Sequence, residues 1–279
     1  MDTVARSIAQ KLTESLGQTV VVDNRGGGGG SIGAELVAHA APDGYTVLMI
    51  SATSVIHAIM YKAQYDAVRD FAPISQVTSQ PYVIVINPAV PAKTVTELVA
   101  YAKANPGKLN YASAGNGSVI HLTGELFKHA TGIEMVHVPY KGIGAAYPDL
   151  IGGQIQLTFG SIISAMPQIR AQRLRALAVT SIQRSKSLPD VPSAAEMGIQ
   201  GFVVTNWYGV VAPVGTPRSI VDRLHKEILK ALQATDVVAR LNNDGADAAG
   251  SSPQLFGAHI KAERDKWARV IKQTGIKGD

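Results

Sequence analysis

Ser113, Asn116 and Ser118 lie close together, separated by Gly115 and Gly117, in the run 110–129 that reads NYASAGNGSVIHLTGELFKH. Short hydroxyl and amide side chains around a glycine turn, just ahead of a helix, supply the chemistry of anion binding. The first helical turn has N–H groups with no intrahelical acceptor, and the helix dipole adds positive potential there. Ser118 is placed as the N-cap, with Ile120, Leu122, Leu126 and Phe127 as the apolar face of the helix that follows. The same residues serve equally well as a turn and a cap that bind nothing, so spacing alone leaves both readings open.

Other constellations point elsewhere with less support. Gly28, Gly30 and Gly33 have the dinucleotide-fingerprint spacing between a strand and a helix. The unbroken glycine run 26–30 matches almost any glycine template, however, and the next strand ends in Ser51, with no acid for a ribose hydroxyl. No GK[ST] follows, which excludes a P-loop. Gly29 to Gly33 also has the G-x-S-x-G form of a nucleophile elbow, but nothing around His121, His137, His225 or His259 selects a base. Ser31 reads instead as a helix N-cap.

His121 and Glu125 share a helical face at a spacing compatible with metal ligation, but HLTGE is not HExxH and no third ligand is indicated. His121 reads as a residue of the polar corner and Glu125 as solvated. Trp207 and Tyr208 read as packing residues, with the wall of a cleft as the alternative. The basic run Lys261, Arg264, Lys266, Arg269 and Lys272 alternates with Ile260, Trp267 and Ile271, which describes a core-packed helix with a solvated face.

The chain has 279 residues, 46% hydrophobic and 17% charged, enough for a sizeable core and for two domains. A net charge of +5 favours anionic solutes. It is too scattered for nucleic acid, since no basic block exists and only 6% of residues are aromatic. Without cysteine there are no disulfides, thiolate catalysis or Cys-based zinc sites. No apolar run approaches the roughly 18–20 residues of a membrane span, and the opening MDTVARSIAQKL has no export-signal pattern.

The elements that must carry these residues alternate between strand and helix. Val4, Ile8, Leu12 and Leu16 mark a first helix over 3–16, with Asp2 as its cap and Gly17 as its stop. Strands are expected at 19–22, 45–50, 74–78, 81–86, 135–138, 154–159, 174–180, 202–205, 208–212 and 246–249, besides the short run before Ser113. Helices are expected at 31–41, after 51–54, from Thr94 or Thr96 to Asn105, over 118–129, to Ile151, to about Ala171, at 217–234 and 236–243, and from Pro253 to about Thr274. Such alternation predicts an α/β protein with largely parallel sheets and ligand sites at carboxyl ends of strands. About eleven short strands without a barrel repeat fit two sheets, hence two lobes, better than one. A chain of this class that opens on a helix also implies a strand before Met1.

Several stretches resemble one family: DTVARSIAQKL, VVVDNRGGGGGSIGAELVAHAAPDGYTVLM, YASAGNGSVIHLTGELF, VPYKGIGAAYPDLIGGQIQLTFGSI, LRALAVTS with LPDVPSAAEMG, and WYGVVAPVGTP. Together they are similar to the Bug-type extracytoplasmic solute-binding proteins of tripartite tricarboxylate transporters, over essentially the whole chain. The resemblance implies a two-lobed periplasmic-binding-protein fold of type II, the Venus flytrap, with mixed sheets flanked by helices. Its expected lobes are 1–82 with 206–279, and 83–205, with crossings near 81–86 and 205–210.

It also implies a periplasmic monomer with no catalytic residue, cofactor or metal. Such a protein captures a small organic anion (a di- or tricarboxylate, acidic amino acid or aromatic carboxylate) and passes it to membrane permease subunits. The carboxylate would be held by Ser113, Gly115, Asn116, Gly117 and Ser118 with His121, and from the other lobe by Ser51 and Thr53. Tyr140, Lys141, Ser161 and Ser164 are further candidates, and Asp2 is what remains of the family's first binding loop. That loop and its strand would precede Met1, so the resemblance predicts weakened stability or binding for a chain of this length. Three readings stay open: transport receptor, α/β enzyme (nicotinamide-dependent or serine hydrolase), and ligand-sensing partner of a signalling receptor.

Overall fold

The computed structural model describes residues 1–25, 30–61, 63–199, 201–243 and 245–276. The chain divides into two compact units, Met1–Ser79 with Trp207–Arg269, and Gln80–Asn206 with the residues from Val270 onward.

The first unit opens on α1 (Asp2–Leu16), whose Val4, Ile8 and Leu12 are buried at the spacing of one helical face. Gly17, in the left-handed region at φ 68°, ends it by donating its N–H to Thr13 O. Asp2 is the first helical residue and not the cap, because Met1 occupies the cap position. Its carboxylate instead accepts from Arg6 Nε at 2.9 Å and Asn24 Nδ2 at 2.7 Å. Those two donors, Asn24 foremost, hold the carboxyl below its ordinary range.

Residues 19–22 form no strand in the described chain. The Val20 N–H is taken by Thr13 Oγ1 at 2.9 Å, so it does not serve a ladder, and Val21 is 78% exposed. The expected strand there is a segment pinned by a side chain.

Next come α2 (Ser31–Ala38), β1 (Leu48–Ser51), α3 (Ala52–Met60) and the first part of β2 (Phe71–Ile86). Gly30, at φ 93°, occupies the N-cap of α2, and Ser31 begins the helix, which corrects the expected cap. Gly28 and Gly29 of the two glycine motifs lie outside the described residues. The unit is completed by most of β7 (Thr205–Pro213), α8 (Arg218–Gln233), α9 (Thr235–Asn243), β8 (Asp247–Ala248) and α10 (Pro253–Thr274) as far as Arg269. β1 pairs antiparallel with β7 from Leu48↔Val211 to Ser51↔Tyr208. One core joins Ile8 and Leu12 of α1, Ile74 and Val77 of β2, Val210 of β7, and Ile228 and Leu232 of α8. Each fully buried aliphatic side chain of this kind stabilises by about 1.5–3 kcal/mol.

The second unit takes over β2 from Tyr82. There β2 pairs antiparallel with both β5 (Leu157–Ser161) and β6 (Arg175–Val179). β3 (Asn110–Ser113) lies parallel to β5 and to β4 (Val136–Pro139). Around the sheet run α4 (Val95–Ala104), α5 (Val119–Thr131), a 3-10 turn leading into α6 (Tyr147–Gly152), and α7 (Ile162–Arg170). Val83, Val85, Ala112, Tyr147, Leu150 and Ile162 belong to one core cluster. Phe127, Phe159 and Phe202 form a second, with ring centroids 5.2–6.0 Å apart. Thr94 caps α4 by accepting from Glu97 N–H, and Glu97 Oε2 accepts from Lys93 N–H at 2.6 Å, which makes a capping box displaced by one residue.

Two sequence expectations change. The runs 74–78 and 81–86 are one strand, and β7 takes Thr205 together with the run 208–212 while 202–204, expected as strand, form none. Pro81 has no N–H to give a ladder, and it sits where β2 changes partners, between Ser79↔Asp247 and Tyr82↔Ser161. The sheets are also not largely parallel: of the registered pairings, β3 makes the parallel ones and those of β1 and β2 are antiparallel.

Candidate ligand-binding site

The corner between β3 and α5 is built by its own polar groups. Ser113 is fully buried. Its Oγ accepts the Gly115 N–H at 3.1 Å and lies 2.6 Å from Nε2 of His137, on the neighbouring strand β4. The chain turns through Gly115 at φ 115° and Gly117 at φ 70°, conformations that cost other residues strain. Ser118 caps α5 by accepting the His121 N–H at 3.2 Å, and its own N–H donates to Gly115 O. Gly117 N–H donates to His121 Nδ1 at 3.1 Å.

The N–H groups of Gly115, Gly117 and Ser118 are therefore engaged within the turn, where sequence reasoning expected the corner to gather free donors. What it presents outward is the exposed Asn116, with Ser118 half-buried beside it and the first turn of α5 buried behind them.

Beneath the corner, the rings of His121 and His137 stack with centroids 3.8 Å apart and planes 7° apart. Tyr111, fully buried, donates its hydroxyl to Glu125 Oε1 at 2.7 Å, and Lys128 Nζ pairs with the same oxygen at 2.8 Å. Glu125 is thus a partly buried acceptor and not the solvated residue expected. Burial raises the Tyr111 phenol, and Glu125 adds to the rise. Burial likewise pushes His137 down to about 4, with His121 and Lys128 acting in the same direction and Glu125 against them.

Parallel pairing brings the carboxyl ends of β3, β4 and β5 to one edge of the second unit's sheet. After β4, Tyr140 donates its N–H to Ser113 O at 3.2 Å, which ties that turn to the corner. Its hydroxyl donates to Asp149 Oδ2 at 2.6 Å, and burial with Asp149 pushes the phenol up to about 12. Lys141 follows, exposed. After β5, Ser161 precedes α7 with its Oγ 2.7 Å from Ser164 Oγ, and Ser164 Oγ is 2.9 Å from the hydroxyl of buried Tyr147. Ser113–Ser118, Tyr140–Lys141 and Ser161–Ser164 therefore share one sheet edge.

Sequence reasoning did not include His137 and Tyr147 among the site residues. Both sit on elements that flank the named turns, and parallel β3–β4 pairing is the signal that would have selected His137.

In the first unit, β1 ends at Ser51, whose Oγ lies 3.5 Å from Ser54 Oγ, and Thr53 is half-buried in the first turn of α3. Tyr65 donates its hydroxyl to Ser54 O at 2.6 Å, and burial raises that phenol. This is a second strand–helix corner of short hydroxyl side chains. Asp2, with both oxygens accepting from Arg6 and Asn24, acts in the structure as a support of α1.

Strand–helix corners of this kind, on two units threaded by the same strands, define a two-lobed periplasmic-binding fold. Solved structures share it. MatC of Rhodopseudomonas palustris with bound malate is 32% identical, with a TM-score of 0.81 over 97% of this chain and 94% of its own. An R. palustris protein with adipate is 35% identical, with a TM-score of 0.83 over 99% and 93%. BugT of Bordetella pertussis is 38% identical, covering 99% of this chain and 86% of BugT. Residues 4–276 match the family described as tripartite tricarboxylate transporter family receptor, and the chain belongs to that family.

Proposed function

We propose that this protein is a periplasmic receptor that captures a small organic anion by its carboxylates and delivers it to the permease subunits of a tripartite transporter, without a catalytic step. The observation that carries this reading is the shared carboxyl edge of β3, β4 and β5. That edge carries three turns, with Asn116 and Ser118 after β3, Lys141 after β4 and Ser161 after β5, and these are the proposed contacts from the second unit. Ser51 and Thr53 are the proposed contributors from the first unit. The adipate and malate bound by similar proteins support a di- or tricarboxylate as the class of solute.

Micromolar binding corresponds to roughly −8 kcal/mol. At 100-fold excess over Kd such a ligand stabilises by about 2.7 kcal/mol. Adipate or malate is therefore expected to raise the melting temperature by several degrees. A panel of small carboxylates that all leave it unchanged would refute the proposal.

Asn116→Ala is the cleaner test of the corner, since an exposed side chain costs little stability when removed. Calorimetry is expected to show a loss of affinity of about tenfold, the size of one hydrogen bond to a charged group. Unchanged affinity would take Asn116 out of the site. Ser118→Ala is expected to lose about 1 kcal/mol of stability as well, because it removes the cap of α5.

A further inference from the structure

The hydrogen bond from Gly117 N–H to His121 Nδ1 fixes where the proton of that ring resides. A backbone N–H only donates, so Nδ1 accepts and the neutral ring carries its proton on Nε2. A second proton, taken from solvent, has one place to go: the atom that Gly117 already occupies. It would set two donors against each other and release Gly117 from the geometry that α5 and the turn share. We infer that His121 is a positioning residue that couples the anion-binding corner to pH, so that acidification loosens the turn and weakens ligand capture.

The surroundings reinforce the coupling. His121 is 7% exposed and stacked at 3.8 Å on His137, so a charge on it is poorly hydrated and faces a second imidazole. His137 in turn meets Ser113 Oγ, which accepts the Gly115 N–H. The stack thus touches the turn at both of its left-handed glycines. Titratable groups that face the pair among the described residues include Tyr111 from β3, and Glu125 and Lys128 farther along α5. Glu125 is itself engaged with Tyr111 and Lys128. An imidazolium would attract an anion, but here the charge arrives together with the loss of the bond that shapes the receiving turn. The net sign is weaker binding at low pH.

The role in ligand capture rests on the function proposed above; the role in shaping the turn does not, and the test separates them. In the ligand-free protein, imidazole nitrogen NMR is expected to find His121 as the Nε2–H tautomer at pH 8. The Gly117 amide resonance is expected to move with the titration of His121. A Nδ1–H tautomer, or a Gly117 amide indifferent to that titration, would overturn the inference whether or not any carboxylate binds.

For capture, the affinity for adipate is expected to fall at least threefold across the pH interval in which NMR shows His121 to titrate, beyond what the ionisation of adipate accounts for. His121→Asn places an amide oxygen where Nδ1 stands and carries no titrating proton, so its profile is expected to follow adipate ionisation alone. Equal profiles for the two proteins would overturn the coupling. Absence of adipate binding at every pH would count against adipate as a ligand and leave the NMR result to decide the inference.

Discussion

Glu263→Ala is expected to destabilise the first unit by about 3–5 kcal/mol, the cost of breaking a buried pair while leaving its partner behind. Glu263 lies on α10 and is 6% exposed. Its Oε2 accepts from two indoles, Trp207 Nε1 at 3.2 Å and Trp267 Nε1 at 3.0 Å. Its Oε1 pairs with Lys266, whose ammonium also lies 4.6 Å from the centroid of the Trp267 ring. Alanine would take the acceptor away from two buried indole N–H groups and remove the carboxylate that Lys266 pairs with.

Glutamine preserves an oxygen for the indoles but turns an amide donor toward Lys266, so Glu263→Gln is expected to fall between wild type and alanine. Denaturant midpoints followed by tryptophan fluorescence would rank the three proteins. An alanine variant as stable as the glutamine variant would mean that the indoles draw nothing from this carboxylate. His259 belongs to the same cluster, with its ring centroid 5.0 Å from that of Trp207. Its protonation is suppressed mainly by burial, with Lys266 assisting and Glu263 opposing.

Gly124→Ala is the second large effect, and its sign is opposite to that of the ordinary substitution. In an exposed helix interior alanine is about 1 kcal/mol better than glycine. Gly124 is in the middle of α5 against Tyr111, and a Cβ there would lie 2.6 Å from Tyr111 Cζ and 2.8 Å from Cδ2. The phenol ring has little room to retreat: it is fully buried, with His137 at 5.1 Å and Phe159 at 6.3 Å between centroids.

Overpacking of this kind costs about 1–3 kcal/mol. It would also push the Tyr111 hydroxyl away from Glu125 and disturb the stacked histidines, so adipate affinity is expected to fall together with the melting temperature. A variant that melts higher than wild type would show that the ring yields freely.

The strand–turn–helix from Asn110 to Thr131 was legible because its signals are local. Glycine spacing, a serine cap and an apolar face each act within a few residues, and the observed cap is Ser118 as read. The continuity of β2 was not legible. Pro81 and the polar stretch Thr78–Gln80 look like a break until partners on either side are known, and those partners come from far along the chain. The same holds for Thr19–Val22: its composition is that of a strand, yet Thr13 claims the Val20 amide. His137 was passed over and Glu125 misread as solvated for a related reason. Whether such a side chain is solvated depends on the strand or ring beside it, here β3 with Tyr111, and no periodicity within their own segments encodes that neighbour.

At the carboxyl edge of the second unit, the residues that hold the turns and the residues that are displayed by them are different sets. Ser113, Gly115, Gly117 and the paired histidines set backbone shape from buried or conformationally restricted positions, whereas Asn116 and Lys141 are exposed. On the function proposed above, a separation of this kind would let one solute be exchanged for another by changing exposed residues, with the packing beneath left as it is. For engineering, the same proposal recommends libraries confined to exposed positions such as 116 and 141, with the glycines and histidines left untouched, so that a change in solute preference would come at little cost in folding.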